Sequence, residues 1–372
     1  MHSLLPEHKE IRVIQQLGRI TAKALEPLDQ LLLILPAKGT AAALKQLPQG
    51  AKLQAAMRRR TAGSTPALVA RLANKRQTLV VGGTIAANAS SFEQLSLARK
   101  LVSAATAEKA GCLGVAIVGF GDDAQAVLCR NAVAAALAAA FSLPEFKSKG
   151  SPPRIRSVRV VGLADKVDLD RVRAEANGNN IARWLTALPP NKLDAKGYAD
   201  ALRVLAKDNG WAFERMATKE LEKLGAGAFL AVAQGNDDDS ASIVRMRYRP
   251  GAKDAKPDLG LVGKGIIFDT GGTNLKPFQS MLDMHGDMQG SAVALGTFLA
   301  ISQLQLPIAV DCWLAITENR TGPRAYKSQD VVVAANGKTI QTIHTDAEGR
   351  MALADTLVFA SRDEPGLVFD YA

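Results

Sequence analysis

The sequence is poor in aromatics, 5% of its residues, and holds only three cysteines in 372 residues. Cys112, Cys129 and Cys312 are odd in number and far apart, with no metal or redox spacing. That excludes a disulfide framework and predicts a reduced, cytoplasmic setting. No run is long enough for a transmembrane helix. The longest apolar stretch, "AVAAALAAAF" (132–141), is half the roughly 20 apolar residues a span needs. The opening "MHSLLPEHKEIRV" mixes acids and bases and has no secretory h-region or cleavage site. Internal repeats and low-complexity segments are also missing.

What is there is a globular composition, with 47% hydrophobic residues and 31 glycines. The length predicts two domains. Charge divides the chain unevenly. Residues 1–168 carry 23 Lys and Arg against 11 Asp and Glu, and residues 169–372 carry 23 against 25. The densest basic segment, 52–76, holds Lys52, Arg58, Arg59, Arg60, Arg71, Lys75 and Arg76. A solvated helix face or a subunit contact is its simpler reading. Attraction to a phosphate backbone is the sharper one, without aromatics to stack on bases.

Periodicity predicts an α/β fold. Buried strands are expected at 29–37, 78–83, 113–121 and 155–164, and helices at 92–110 and 123–141, with a linker at 147–154. This is a smaller N-terminal α/β domain, 1–168. A connecting helix, 169–190, is closed by Pro189 and Pro190. A larger α/β domain, 191–372, follows, with a mixed sheet flanked by helices. Its expected elements are a helix at 195–209, a strand at 211–216, a helix at 218–224 and a half-exposed alternating strand at 242–250.

Three stretches carry chemistry. In "LGLVGKGIIFDTGGTNLKP" (259–277), Lys264 interrupts an apolar strand. A buried lysine must be paired, or neutral and able to act as a nitrogen ligand. Asp269 ends the strand before Gly271 and Gly272, and Lys276 follows. A buried Lys–Asp pair at a strand end is the plainer alternative. In "MLDMHGDMQGSAVALGTFLAIS" (281–302), a helix is expected from about Gln289. Asp287 precedes it, as a cap or as a ligand, with Asp283 as a nearby alternative. In "HTDAEGR" (344–350), Asp346, Glu348 and Arg350 alternate after a hairpin turned at Asn336–Gly337. Read as extended chain, all three project to one side, before a helix over 351–361. A surface salt-bridge cluster is the alternative.

Together these stretches offer Lys264, Asp269, Asp287, Asp346 and Glu348 near strand ends and helix starts, where open α/β sheets place their sites. Three Asp and one Glu carry four negative charges, which two divalent cations balance if Lys264 is neutral. Oxygen donors with one nitrogen suit Zn²⁺, Mn²⁺ or Mg²⁺. Lys276 and Arg350 remain to stabilise a developing oxyanion.

These residues resemble the leucyl aminopeptidases, two-metal exopeptidases. The family octapeptide Asn-Thr-Asp-Ala-Glu-Gly-Arg-Leu reads His344-Thr345-Asp346-Ala347-Glu348-Gly349-Arg350-Met351 here. "VGKGIIFDTGGTNLKP" (262–277) and "MHGDMQGSA" (284–292) match further family segments in order and spacing. The likeness runs from about residue 177 to the end, and before residue 160 it is architectural only. It implies a macro-like N-terminal domain and a catalytic α/β domain. It implies Lys264, Asp269, Asp287 and Glu348 on an exchangeable metal and Asp269, Asp346 and Glu348 on a tighter one, Zn²⁺ or Mn²⁺. Lys276 would stabilise the gem-diolate. Arg350 would hold a bicarbonate-like anion that relays a proton. Peptides are the implied substrates, with leucine-like preference, and a homohexamer is the implied assembly, in the cytoplasm. His344 stands in the place of the usual Asn, within reach of the metals, with His285 expected as outer shell or surface. The chain stops at "LVFDYA" (367–372), where the family continues into a stretch lining the substrate pocket. The expectation is therefore a C-terminally truncated aminopeptidase. Its alternatives are an impaired scaffold and a basic domain binding DNA.

Overall fold

The computed structural model describes residues 4–6, 11–61, 63–108, 111–148, 155–236 and 239–372. The chain divides into two compact units, His8–Ala176 and Asn177–Ala372, and Leu4 and Leu5 pack on the core of the second. The division falls inside the helix Asp170–Thr186.

The first unit contains strands β1 (Arg12–Leu17), β2 (Gln30–Pro36), β3 (Leu68–Arg71), β4 (Leu79–Ile85), β5 (Cys112–Ile117) and β6 (Ser157–Leu163). Their order is β1-β6-β5-β2-β4-β3, parallel except for β3 against β4. Between them run α1 (Ala22–Leu25), α2 (Thr40–Lys45), α3 (Gly50–Arg58), α4 (Ser91–Thr106) and α5 (Asp122–Ala140). β2 reads "QLLLILP" because both faces of the sheet are covered. Leu32 and Ile34 enter the core shared with α4 and α5, and Leu31, Leu33 and Leu35 the core shared with Leu44 and Leu53.

The strands and helices expected here are present within a few residues. β1, β3 and α1–α3 were not foreseen. β1 is a half-exposed edge strand, and its "RVIQQL" offers no clean alternation. Most of the foreseen linker at 147–154, and residues 109–110 of the foreseen helix, lie outside the described residues. The basic segment is not one face. It runs from α3 through a loop into β3, where Arg71 pairs with Glu108, and on into the turn before β4, where Arg76 pairs with Asp29.

The second unit continues from α6 (Asp170–Thr186) through α7 (Ala195–Asn209), β7 (Ala212–Ala217), α8 (Thr218–Lys223), α9 (Gly227–Ala233) and β8 (Ser242–Tyr248). β9 (Leu259–Asp269), α10 (Phe278–Met281), α11 (Gln289–Gln303) and β10 (Val310–Asn319) follow, then the hairpin β11 (Val331–Val333) and β12 (Thr339–Gln341), α12 (Glu348–Arg362) and β13 (Leu367–Tyr371). The main sheet is mixed, in order β13-β9-β10-β8-β7, with β9, β10 and β13 parallel and β7 and β8 antiparallel to their neighbours. One face buries Tyr198, Leu202, Leu295 and Phe298 from α7 and α11, and the other Phe229, Val232, Met351 and Phe359 from α9 and α12.

β8 corrects the half-exposed reading. It lies between β10 and β7, so Ile243 and Val244 are buried on opposite faces. Its Arg245 is consumed rather than solvated: it pairs with buried Asp311 and lies over the Trp313 ring at 4.6 Å. Glycines in β9 let α11 sit directly on the sheet. A Cβ on Gly263 would stand 2.5 Å from Ser291 Cα, so only glycine admits the helix start there. That contact brings Asp287, just ahead of α11, beside Lys264. No helix among the described residues is long and apolar enough to cross a membrane.

Candidate metal centre

The carboxyl ends of β9 and β10, the turn before α11 and the start of α12 converge on one acidic pocket. Lys264 Nζ lies 2.8 Å from Asp287 Oδ2 and 2.9 Å from Glu348 Oε1. Lys276 Nζ lies 2.9 Å from Asp269 Oδ2 and also pairs with Asp346. Side-chain exposure is 3% for Asp269 and 2% for Glu348, against 29% for Asp346, so the pocket has a closed floor and an open side.

A bulge turns Asp269 inward. β9 advances from Ile266 to Asp269 while β10 advances only from Thr317 to Asn319. The extra residue in β9 reverses the side-chain alternation and sets Asp269 on the side of Lys264. Asp269 Oδ1 then accepts from Gly271 N at 2.8 Å and from Asn319 Nδ2 at 2.8 Å.

The "HTDAEGR" segment differs from its extended reading. Thr345–Ala347 is a 3-10 turn and α12 begins at Glu348, three residues before the apolar run. His344 Nδ1 accepts from Asp346 N at 3.2 Å and caps the turn. The helical start gathers the carboxylates at a helix N-terminus, where the backbone dipole favours negative charge. It also separates Arg350 from them: Arg350 is exposed and forms no ion pair among the described residues.

Asp287 is not the N-cap of α11. Met288 occupies that position without a side-chain cap, and Asp287 turns to Lys264 instead. Asp283 is exposed and outside the cluster, and His285 is half-buried.

Sequence reasoning missed the residues that brace the pocket. Thr345 Oγ1 donates to Gly271 O at 2.6 Å and accepts from Asn274 N at 2.9 Å. Tyr326 hydroxyl donates to Thr345 O at 2.8 Å. These bonds tie the Gly271–Asn274 loop to the residue before Asp346. Neutral hydroxyls and amides scattered over three segments give no spacing signal. The one available clue was that β10 ends in Asn where its partner strand ends in Asp.

The electrostatics are those of an over-acidic site. Four carboxylates face two ammonium groups. Burial lifts the Asp287 carboxyl to about 6 despite the opposing pull of Lys264. Burial and then Glu348 also raise Asp269, against Lys276 and the hydrogen bonds to it. Burial alone would lower both lysines, but the carboxylates outweigh it and hold Lys264 and Lys276 above the ordinary lysine value. Asp287 Oδ2 and Asp346 Oδ1 are buried without a hydrogen bond, each with only an ammonium nearby. Ligand atoms of Asp269, Asp346 and Glu348 lie within 4.8 Å of one another, which fits a divalent cation.

Comparison with known proteins follows the same residues. Residues 180–372 match the model of the cytosol aminopeptidase family, catalytic domain. A probable cytosol aminopeptidase of Stutzerimonas stutzeri (strain A1501) is 42% identical over 240 residues, 62% of this chain and 48% of that protein. The cytosol aminopeptidase of Pseudomonas aeruginosa strain PAO1 is 39% identical over 290 residues, 74% of this chain and 58% of its own. The chain thus spans about half the length of the curated relatives it matches. Among solved structures, leucyl aminopeptidase from Trypanosoma cruzi superposes with a TM-score of 0.75 at 26% identity, over 96% of this chain and 72% of the other. A tomato leucine aminopeptidase mutant gives 0.79 at 20% identity over 99% and 75%, a likeness of fold.

Proposed function

The chain belongs to the cytosol aminopeptidase family, and from that premise we propose that it is a two-metal aminopeptidase releasing N-terminal residues, leucine-like ones by preference, from peptides. The observation that carries the reading is the convergence of Lys264, Asp269, Lys276, Asp287, Asp346 and Glu348 on one pocket with more carboxylate than it can neutralise.

Lys264, Asp269, Asp287 and Glu348 would hold one ion, and Asp269, Asp346 and Glu348 the other, with Asp269 and Glu348 shared. Zn²⁺ or Mn²⁺ held there would supply Lewis acidity toward a peptide carbonyl and a water acidic enough to attack it. The chain's own groups supply the rest. Lys276 stays protonated, because Asp346 and Asp269 raise it against the effect of burial, and so offers a fixed positive charge to the oxygen that becomes anionic. Arg350 would hold a small anion such as bicarbonate that shuttles a proton, a role carried by the family likeness of its segment and requiring the exposed side chain to swing toward the pocket. We propose the reducing cytoplasm as the site of action, in keeping with three free cysteines, and a homohexamer as the assembly.

The test is metal dependence. After chelation the chain should not hydrolyse leucine p-nitroanilide, and Mn²⁺ or Zn²⁺ should restore the activity with about two ions bound per chain. Hydrolysis indifferent to the chelator would overturn the reading. Light scattering of the native protein tests the hexamer.

A second prediction concerns Gly349. A Cβ there would stand 2.7 Å from Lys264 Cε and 2.9 Å from its Nζ. The obstacle is the flexible end of a side chain, so Gly349→Ala should fold, with Lys264 pushed off Glu348 and Asp287. Calorimetric titration should show metal affinity down by about 10-fold or more, while the melting temperature in chelator changes little.

A further inference from the structure

Asn319 ends β10 directly across from Asp269 at the end of β9, and it is fully buried. Its backbone is pinned, the carbonyl accepting from Thr270 N at 2.9 Å and Thr270 Oγ1 at 2.8 Å. Its Nδ2 faces three acceptors: Asp269 Oδ1 at 2.8 Å, Thr345 O at 3.0 Å and Glu348 Oε2 at 3.3 Å. The amide orientation follows from chemistry, because carboxylates and a carbonyl can only accept from it. Two N–H groups therefore serve three oxygens. The other end of the amide is left bare. Oδ1 is buried with no hydrogen-bond partner, against Gly272, where a Cβ would come within 3.0 Å of it. An orphaned buried acceptor is unfavourable, and it is tolerated here on the side away from the carboxylates.

We propose that Asn319 is a positioning residue that sets the spacing of Asp269 and Glu348, the two carboxylates read above as shared between the metals, and the inference rests on that two-metal reading. The lysines bridge the carboxylates as well, but Lys276 does so as a cation that competes with any metal for the same oxygens, and Lys264 would have to give up its proton and those contacts to serve as a ligand. The amide brings no charge. It holds one oxygen of each carboxylate and leaves the other for a ligand bond, so it persists when cations enter. Its third bond, to Thr345 O, extends the same control to the residue before Asp346.

The test compares the wild-type chain with Asn319→Ala, and with Asn319→Ser as a smaller change that keeps one donor. Each is stripped of metal, checked by circular dichroism, titrated calorimetrically with Zn²⁺, and loaded with Co²⁺ for its visible spectrum. A folded variant should bind Zn²⁺ about 10–100-fold more weakly and show a Co²⁺ spectrum of altered intensity. A folded variant with affinity within about twofold of wild type and an unchanged spectrum overturns the proposal. Failure of both variants to fold assigns Asn319 to the fold alone and overturns it too. A wild-type chain that takes up no Zn²⁺ or Co²⁺ overturns the two-metal reading and this inference with it.

Discussion

Asp269→Asn should cost the metal centre at least one of its two ions while leaving the fold in place. The substitution keeps the shape and keeps an oxygen to accept from Gly271 N and Asn319 Nδ2, both at 2.8 Å. It removes the charge and turns an amide toward Lys276, which retains its pairing with Asp346. A neutral amide is a poor bridge between two cations, and Asp269, at the floor of the pocket, is the ligand proposed to be shared. Bound metal should fall from about two ions per chain to at most one. The loss of kcat/KM should be roughly thousand-fold or more, equivalent to about 4 kcal/mol of transition-state stabilisation. In chelator the variant should melt within a few degrees of wild type, because one buried like charge beside Glu348 has gone. Atomic absorption on the purified proteins decides the point, and a variant that keeps both ions would exclude Asp269 as the bridge.

The residue types of the pocket were legible in the sequence, and their geometry was not. Lys264 inside an apolar strand and Asp269 at its end signal expense, and expense points to use. That the two share a side depends on one extra residue in β9, and a bulge has no signature when both neighbours are isoleucine and phenylalanine. The alternation of Asp346, Glu348 and Arg350 suggested a strand, yet the segment is helical. The His344 cap starts the 3-10 turn that leads straight into α12, and local capping outweighs an apparent period of two in so short a stretch. Arg350 accordingly leaves the cluster that the extended reading gave it. β2 and α5 were readable because burial on one or both faces leaves a periodic mark. β1, at a sheet edge with half its surface wet, leaves none.

Asp355→Ala should strongly destabilise the second unit. Asp355 lies two turns after Glu348 on α12 and is fully buried. Its Oδ2 accepts from Phe229 N at 2.8 Å, one of the N–H groups left over at the start of α9, and its Oδ1 accepts from Ala335 N at 2.7 Å in the turn of the β11–β12 hairpin. One carboxylate thus caps a distant helix and fastens a hairpin to α12. Truncation strands two N–H groups at roughly 1–3 kcal/mol each and opens a small void, for a total of about 3–5 kcal/mol by urea denaturation. Asp355→Asn should lose about half of that, since the two N–H groups bond different oxygens of Asp355 and the one amide oxygen can face only one of them. A substantial fraction of a domain's usual 5–15 kcal/mol is at stake. The consequence for the metal centre follows from α12, which carries Glu348 at its first residue and packs Met351 and Phe359 into the core with Phe229. Loosening α12 would loosen a proposed ligand. Metal added in excess should therefore recover part of the lost stability of Asp355→Asn by mass action, and recover clearly less in a double variant with Asp269→Asn. Equal recovery in both would show that the clamp and the metal centre are independent.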